Sequence, residues 1–232
     1  MLHAQNTSQV VRMQELFGAM NSFESKHAPE GLYLEGDVSL LSDGKRVSVV
    51  GSRKPSPEGR ARARAVTRAL VEQGITVVSG LANGIDTVAH ETAIKQGGRT
   101  IAVLGTPLSE AYPKSNRALL DRIKDEHLAV SQFSEGTPAR RMNFPQRNRT
   151  MALISDATII IEASEKSGTR HQGWEALRLG RMVFLLQNIV ENSALSWPQE
   201  MIGYGAQVLR RDDLPAVLED IPNFTAASVS AF

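Results

Sequence analysis

The strongest constraint on the fold is an alternation, from about residue 46 onward, between short apolar runs and longer segments with helical periodicity. The runs are nearly continuous, which is typical of strands covered on both faces of a sheet. They read RVSVVGS, ITVVSG, RTIAVLG, LAVSQFSE, ATIIIEAS and RMVFLLQ. Strand, helix and strand in repetition imply a parallel sheet joined by right-handed crossovers. The sequence therefore predicts an α/β fold.

Helical patterns fill the intervals between these runs. They predict helices over residues 57–73, 84–96, 116–126, 149–155 and 168–179. The expected architecture is an extended Rossmann-like, doubly wound, mostly parallel sheet with helices on both faces. Outside this frame we expect an amphipathic helix over 8–23, a strand with a turn in LYLEGDVSLL, a helix over 194–203, a last strand in GAQVL and a helix over 213–219.

The same patterns suggest how the chain is divided. Residues 1–30 are predicted to form an N-terminal helical extension, and residues 31–222 the Rossmann-like domain. The end of the chain, 223–232, is weakly patterned and predicted to be a flexible tail.

Composition narrows the classes of function. The 232 residues are 41% hydrophobic with a formal net charge of +1, so no global basic field marks a nucleic-acid binder. No apolar run approaches the length of a membrane span, and the N-terminus MLHAQNTSQVVR lacks the order of a signal peptide. We therefore expect a soluble cytoplasmic protein without a membrane partner. Since cysteine is absent, disulfides, thiolate metal sites and thiol nucleophiles are excluded.

Chemistry in such a fold is expected in the loops after the strands, where ligands meet the carboxyl ends of a parallel sheet. Most of these loops place glycine beside serine or threonine, which lets the backbone approach an anion and adds hydroxyl donors. No GxGxxG follows the first strand and no GxxxxGK[ST] occurs, so neither a dinucleotide cofactor nor a P-loop is supported. The candidate phosphate-binding residues are Gly51, Ser52, Ser79, Gly80, Asn83, Gly84, Ser167, Gly168 and Thr169.

Cations are concentrated near the stretch FPQRNRTMALIS. If Arg149 opens a helix at the ligand edge, Arg147, Asn148 and Arg149 bring two forked cations and an amide to the anions held by the glycine loops. Arg53 adds a third cation, and Phe144 offers a flat face on which a base can stack. This combination suits a single nucleotide or a single-stranded nucleic acid.

Three further residues have two readings each. Asp86 either caps the following helix or contacts ligand. Glu162 at a strand tip either contacts a base or acts in catalysis, or else braces a loop. His90 is expected to pack against its helix rather than act in catalysis. The histidines lack partners at metal-ligand spacing, so we expect no metal site.

These loops, in this order, resemble the DprA/Smf family of DNA-processing proteins, from about residue 32 to 209. The resemblance is carried by VVGSR, VVSGLANGIDTVAHETAI, TIAVLG, AYPKSN, FSEGTP, NFPQRNRTMALIS and ATIIIEASEKSGT. It implies a non-catalytic, dimeric protein that binds single-stranded DNA in a positive pocket and helps to load a RecA-type recombinase during DNA uptake. The family's pocket motifs map onto the glycine loops, Arg53, Phe144 and the Arg-Asn-Arg trio named above.

Departures from the family pattern keep alternatives open. RHQGWEALRLGR follows SGT where a threonine-alanine pair is usual, so Gly173 and Trp174 are expected to alter one pocket wall. The length leaves no room for the helical or winged-helix domains that many members carry. A nucleotide-binding sensor is one alternative. A nucleotide phosphoribohydrolase is another, although Gln172 stands where such enzymes place a glutamate.

Overall fold

A nine-stranded sheet forms the middle of the protein, in a computed structural model that describes residues 9–17 and 20–223. The strands are β1 (Gln9–Arg12), β2 (Gly31–Gly36), β3 (Arg46–Gly51), β4 (Thr76–Ser79), β5 (Thr100–Leu104), β6 (Leu128–Ser131), β7 (Ala157–Glu162), β8 (Met182–Leu186) and β9 (Gln207–Leu209). Their spatial order is β1-β2-β6-β5-β4-β3-β7-β8-β9. In this spatial order the pairings from β6 across to β9 are parallel. Strand β2 pairs antiparallel with both β1 and β6.

Helices cover both faces of this sheet, as parallel crossovers require. They are α1 (Met13–Phe17), α2 (Ser22–His27), α3 (Pro57–Glu72), α4 (Ile85–Lys95), α5 (Arg117–Glu126), α6 (Asn143–Ile154), α7 (Gly168–Arg178), α8 (Gln187–Val190), α9 (Pro198–Gly203) and α10 (Leu214–Asp220). Buried side chains of α3, α4 and α10 form one apolar layer, and those of α6, α7 and α9 form a second. The predicted Rossmann-like, mostly parallel α/β fold is confirmed.

Strand β7 shows why a continuous apolar run indicates a strand that is covered on both faces. Ile159 and Ile161 belong to the layer that contains α3, whereas Ile160 points to the layer that contains α6. Successive side chains of a strand face opposite sides, so a strand with helices on both faces has no polar position to alternate with. Each fully buried isoleucine contributes about 1.5–3 kcal/mol to the core.

The order of the strands creates a crevice between β3 and β7. From β3 the chain adds β4, β5 and β6 toward one edge, then returns through α6 to place β7 on the other side of β3. The two strands pair as far as the bond from Ser52 N to the Glu162 carbonyl, 2.7 Å. The loops that follow β3 and β7 leave the carboxyl ends of these strands in opposite directions. Ligands bind in the crevice between such loops in folds of this kind.

The N-terminal part differs from its prediction. Residues 9–12 form β1, which pairs with β2, where a helix over 8–23 was expected. The helical part is limited to α1 and α2, and the stretch QVVR carries two β-branched valines that suit an edge strand. The division at residue 30 stays a prediction, and most of the expected flexible tail, residues 224–232, lies outside the described part of the chain.

Two helix starts also differ. Helix α6 begins at Asn143 rather than at residue 149, because Pro145 falls in the first turn, where a missing N–H costs no hydrogen bond. Helix α9 begins at Pro198 rather than at residue 194, because proline at the first helical position fixes the start.

Candidate nucleic-acid interface

A cavity of about 880 Å³ opens at the β3–β7 crevice. The loops after β3 and β7 and the first turns of α6 and α7 form its walls. Most of the predicted site residues line it: Gly51, Ser52, Arg53, Phe144, Arg147, Asn148, Ser167, Gly168 and Thr169. The expected convergence of the loops into one groove therefore holds for these residues.

The mouth of the cavity combines a cation with two aromatic rings. The Arg53 guanidinium carbon lies 5.6 Å from the centroid of the Phe144 ring. The Phe144 ring is in turn 4.9 Å from the ring of Tyr112, tilted by 47°. A Cβ on Gly105 would come within 2.9 Å of Phe144, so the glycine leaves space for the ring. A base can stack here beside a positive charge.

Deeper in the cavity lies Arg147, a buried arginine with few hydrogen bonds to the described part of the chain. Its Nη1 donates to the Val103 carbonyl at 3.0 Å, and its Nε has no hydrogen-bond partner. Gly80 makes room for the guanidinium, since a Cβ there would lie 1.5 Å from Nη1. Burial lowers the pKa of Arg147, Asp86 opposes that shift, and Arg53 adds to it. Among the residues that the structure describes, no carboxylate forms an ion pair with this guanidinium, although Asp86 is near enough to act on its pKa, and a phosphate would supply a direct anionic partner.

Asp86 braces the loop beneath this cation. Its Oδ2 accepts from the N–H groups of Gly80 and Ala82 at 3.2 and 3.4 Å. Those groups precede α4, whose N-cap is Gly84, so Asp86 holds the loop rather than capping the helix. Burial raises the pKa of its carboxyl, and the nearby Arg147 acts against that shift. Asp86 is also the one carboxylate among the residues that line the cavity.

Besides Gly80, four predicted site residues lie next to the cavity instead of lining it. Ser79 is buried and its Oγ donates to the Val49 carbonyl at 2.7 Å. Gly84 has φ +86° and passes under the Ser52 carbonyl, where a Cβ would come within 2.3 Å. Glu162 accepts from Ser56 N at 2.9 Å, so it braces the start of α3. Asn83 is exposed.

Arg149 departs furthest from its expected place. Because α6 starts six residues earlier than predicted, Arg147 and Arg149 sit two positions apart inside one helix and point to different sides. Arg149 Nε pairs with Glu175 Oε2 on α7 at 2.9 Å, and the residue does not line the cavity. The expectation that both arginines hold the same anion is wrong for this reason.

The wall contributed by α7 also differs from expectation. Gly173 faces Met201, and Trp174 meets Tyr204 edge to face at 5.3 Å, so neither lines the cavity. His171 and Gln172 line it instead. Gln172 is buried, and neither its Oε1 nor its Nε2 has a partner in the described structure. At the tip of α7, the Ser167 side chain accepts from Thr169 N at 3.1 Å.

Six lining residues are not among the predicted site residues: Lys54, Tyr112, Arg140, Arg141, Lys166 and His171. All of them except His171 stand in loops that follow strands or immediately precede α6. The rule that strand tips carry the ligand would have found them if applied to whole loops. With them the cavity is strongly cationic.

The remaining expectations concern groups outside the cavity. His90 is packed, as predicted: its Nδ1 lies 2.7 Å from Thr100 Oγ1, and burial lowers its pKa to about 3. Within the described ranges no group of three or more histidine, aspartate or glutamate side chains is placed to hold a metal ion. No helix there is both long and apolar enough to cross a bilayer.

Comparison with known proteins decides the family. A protein-family model described as DNA recombination-mediator protein A matches residues 11–220. The chain belongs to this family, that of the DprA and Smf proteins. DNA processing protein DprA of Bacillus subtilis (strain 168) is 33% identical over 181 residues, covering 78% of this chain and 61% of the relative. Matches to the first curated relatives cover between 44% and 64% of their length.

Two solved DprA structures share the fold. The one from Streptococcus pneumoniae superposes with a TM-score of 0.80 at 32% identity, over 93% of this chain and 75% of the other. DprA from Helicobacter pylori, whose structure addresses a single-stranded DNA binding mode, gives 0.79 at 25% identity over 94% and 99%.

Proposed function

We propose that this DprA/Smf family member is a non-catalytic single-stranded DNA-binding protein of DNA processing, uptake and recombination. The observation that carries the proposal is the buried guanidinium of Arg147, which forms no ion pair with any described residue and faces a cavity with cationic walls. A buried charge without a partner is unfavourable, so its retention indicates an anion that arrives from outside.

The aromatic mouth favours a polymer of nucleotides over a simple anion. Phe144 and Tyr112 offer stacking surface that does not depend on sequence, worth about 1–3 kcal/mol per base. Arg53 beside Phe144 adds a charge at the point where the backbone of a stacked nucleotide passes. The single-stranded DNA binding described for the Helicobacter pylori relative supports the same ligand.

The test is a fluorescence anisotropy titration with labelled oligothymidylate at two salt concentrations, with duplex DNA as competitor. We expect binding that weakens steeply with salt, because each neutralised phosphate of a single strand releases about 0.7 counterions. Arg53→Ala should weaken binding and flatten the salt dependence. Equal preference for duplex, or no effect of Arg53→Ala, would contradict the proposal.

Recombinase loading and a homodimer belong to the same proposal. A RecA-type recombinase should assemble faster on oligonucleotide that already carries the protein, which a recombinase ATPase assay measures. Sedimentation of the free protein tests the dimer. A monomeric protein would contradict the proposed homodimer, and unchanged recombinase assembly would contradict the proposed loading function.

One observation favours a nucleotide sensor as a second candidate. Gln172 places an unsatisfied amide in the wall of the cavity, and such a group can serve a small ligand that fills the space completely. Competition of a mononucleotide panel against the labelled oligonucleotide separates the two readings. Displacement by a mononucleotide at far lower concentration than by unlabelled oligonucleotide would favour the sensor.

A further inference from the structure

A second cationic depression lies at the same edge of the sheet. We call it the outer groove. It has a volume of about 630 Å³ and lies beyond the carboxyl ends of β8 and β9, between α3 and α10. Arg62 of α3 stands on one side, and Arg210 and Arg211 follow β9 on the other.

The outer groove is joined to the cavity by a smaller depression, which we call the saddle, of about 330 Å³. Ser52, Lys54 and Ser164 line both the cavity and the saddle. Asn188 lines both the saddle and the outer groove. The three depressions are therefore neighbours along the carboxyl edge of the sheet.

The charges of the outer groove are poorly balanced. Arg62 and Arg211 make no hydrogen bond or ion pair with any residue that the structure describes, and Arg210 reaches Asp213 only at 3.7 Å. Glu191 is the one carboxylate in the lining, and it already accepts from Gln187 Nε2 at 2.5 Å. An anionic chain would find two free guanidinium groups here.

The floor of the outer groove is apolar and has no ring. Val66, Leu186 and Leu209 are buried beneath it, and no aromatic residue is part of its lining. Bases have no stacking surface here, so the groove suits a sugar-phosphate backbone. From β3 to β9 there are three strand spacings, about 14 Å in all, so a strand held in the cavity needs additional nucleotides to reach it.

We propose that the outer groove binds the phosphates of the same single strand that occupies the cavity, so that the strand follows the sheet edge across the saddle. This inference rests on the proposed function. It adds a second contact region and predicts that affinity increases with oligonucleotide length, without a sequence preference in the added part.

The experiment compares Arg62→Ala/Arg211→Ala with Arg64→Ala/Arg68→Ala. The control pair removes the same charge from exposed positions of α3 that line none of the three depressions. Each protein is titrated with oligothymidylates of about six and about twenty nucleotides, one near the lower end of the usual range of single-strand site sizes and one longer than that range.

We expect the outer-groove pair to weaken binding of the long oligonucleotide about tenfold and to lower its salt slope by about 1.4, since two phosphates lose their contacts. The short oligonucleotide and the control pair should change little. The inference would be overturned if Arg62→Ala/Arg211→Ala still bound the long oligonucleotide as much more tightly than the short one as the wild type does, or if the control pair reduced that difference equally. Either result would leave the proposed function intact. If the wild type fails to bind the short oligonucleotide, the cavity assignment fails instead.

Discussion

An arginine is buried at each end of the sheet, and the two arginines differ in their hydrogen bonds and ion pairs. At the amino end, Arg46 opens β3, donates to the carbonyls of Ile154 and Leu41 at 2.7 and 2.6 Å, and pairs with Asp156 at 3.5 Å. At the carboxyl end, Arg147 donates once, to Val103, and forms no ion pair with any described residue.

Both side chains are buried, and burial lowers the pKa of each guanidinium. Arg46 has an ion pair and several hydrogen bonds that offset the cost of burial, whereas Arg147 has one hydrogen bond and the more distant charge of Asp86. At the amino end, the chain itself supplies the partners of the buried arginine. At the carboxyl end, we infer that a ligand supplies the anionic partner. The first arginine should therefore affect stability, and the second affinity.

Arg46→Met should give the largest effect. It leaves Asp156 buried without its cationic partner, and breaking such a pair costs about 3–5 kcal/mol. Urea unfolding followed by circular dichroism measures the loss. DNA affinity of the folded variant should remain that of the wild type. A stability loss below about 1 kcal/mol would show that the amino end is not held together in this way.

Phe144→Ala should reduce affinity for oligothymidylate by about 1–3 kcal/mol per stacked base while leaving unfolding nearly unchanged. Phe144→Tyr keeps a ring and serves as the control in the same titration. If the alanine and tyrosine variants bind equally well, stacking at the mouth of the cavity plays no part.

Gly80→Ala tests Arg147 without removing any charge. The added methyl would lie 1.5 Å from Nη1, so the guanidinium must move and lose its bond to Val103. We expect about a tenfold loss of affinity, equivalent to about 1.4 kcal/mol. Gly203→Ala, where nothing lies within 4 Å, is the matched control. Equal affinity of the two variants would mean that the position of Arg147 does not matter.

Arg149→Ala should have the smallest effect. Its partner is Glu175, so the substitution removes a partly exposed ion pair worth about 0.2–1 kcal/mol of stability. Affinity should change less than about twofold, well within 1.4 kcal/mol. An affinity loss as large as that of Arg53→Ala would place Arg149 in the site after all.

The central strands were predictable because a strand that is buried on both faces has a continuous apolar sequence. The Ile159, Ile160 and Ile161 run has no polar position, and such a run reads as a covered parallel strand. The loops that form the cavity followed from the same reasoning, since they leave the strands at one edge.

Helix phase was not predictable to the same degree. Proline is tolerated in the first turn of a helix, so Pro145 is compatible with α6, which begins six residues before the predicted start. The change turned Arg149 away from Arg147. The partner of Arg149 is Glu175 on another helix, a contact that depends on how α6 and α7 pack and that local sequence does not encode.

The most direct test of the account is Arg147→Met, assayed for both affinity and stability. Because Arg147 makes one hydrogen bond and no ion pair within the described part of the chain, unfolding free energy should change by no more than about 1 kcal/mol. Affinity for oligothymidylate should fall at least about tenfold, with the salt slope lower by about 0.7. Unchanged affinity and slope, or a stability loss as large as that of Arg46→Met, would contradict the claim that this arginine is kept for a ligand.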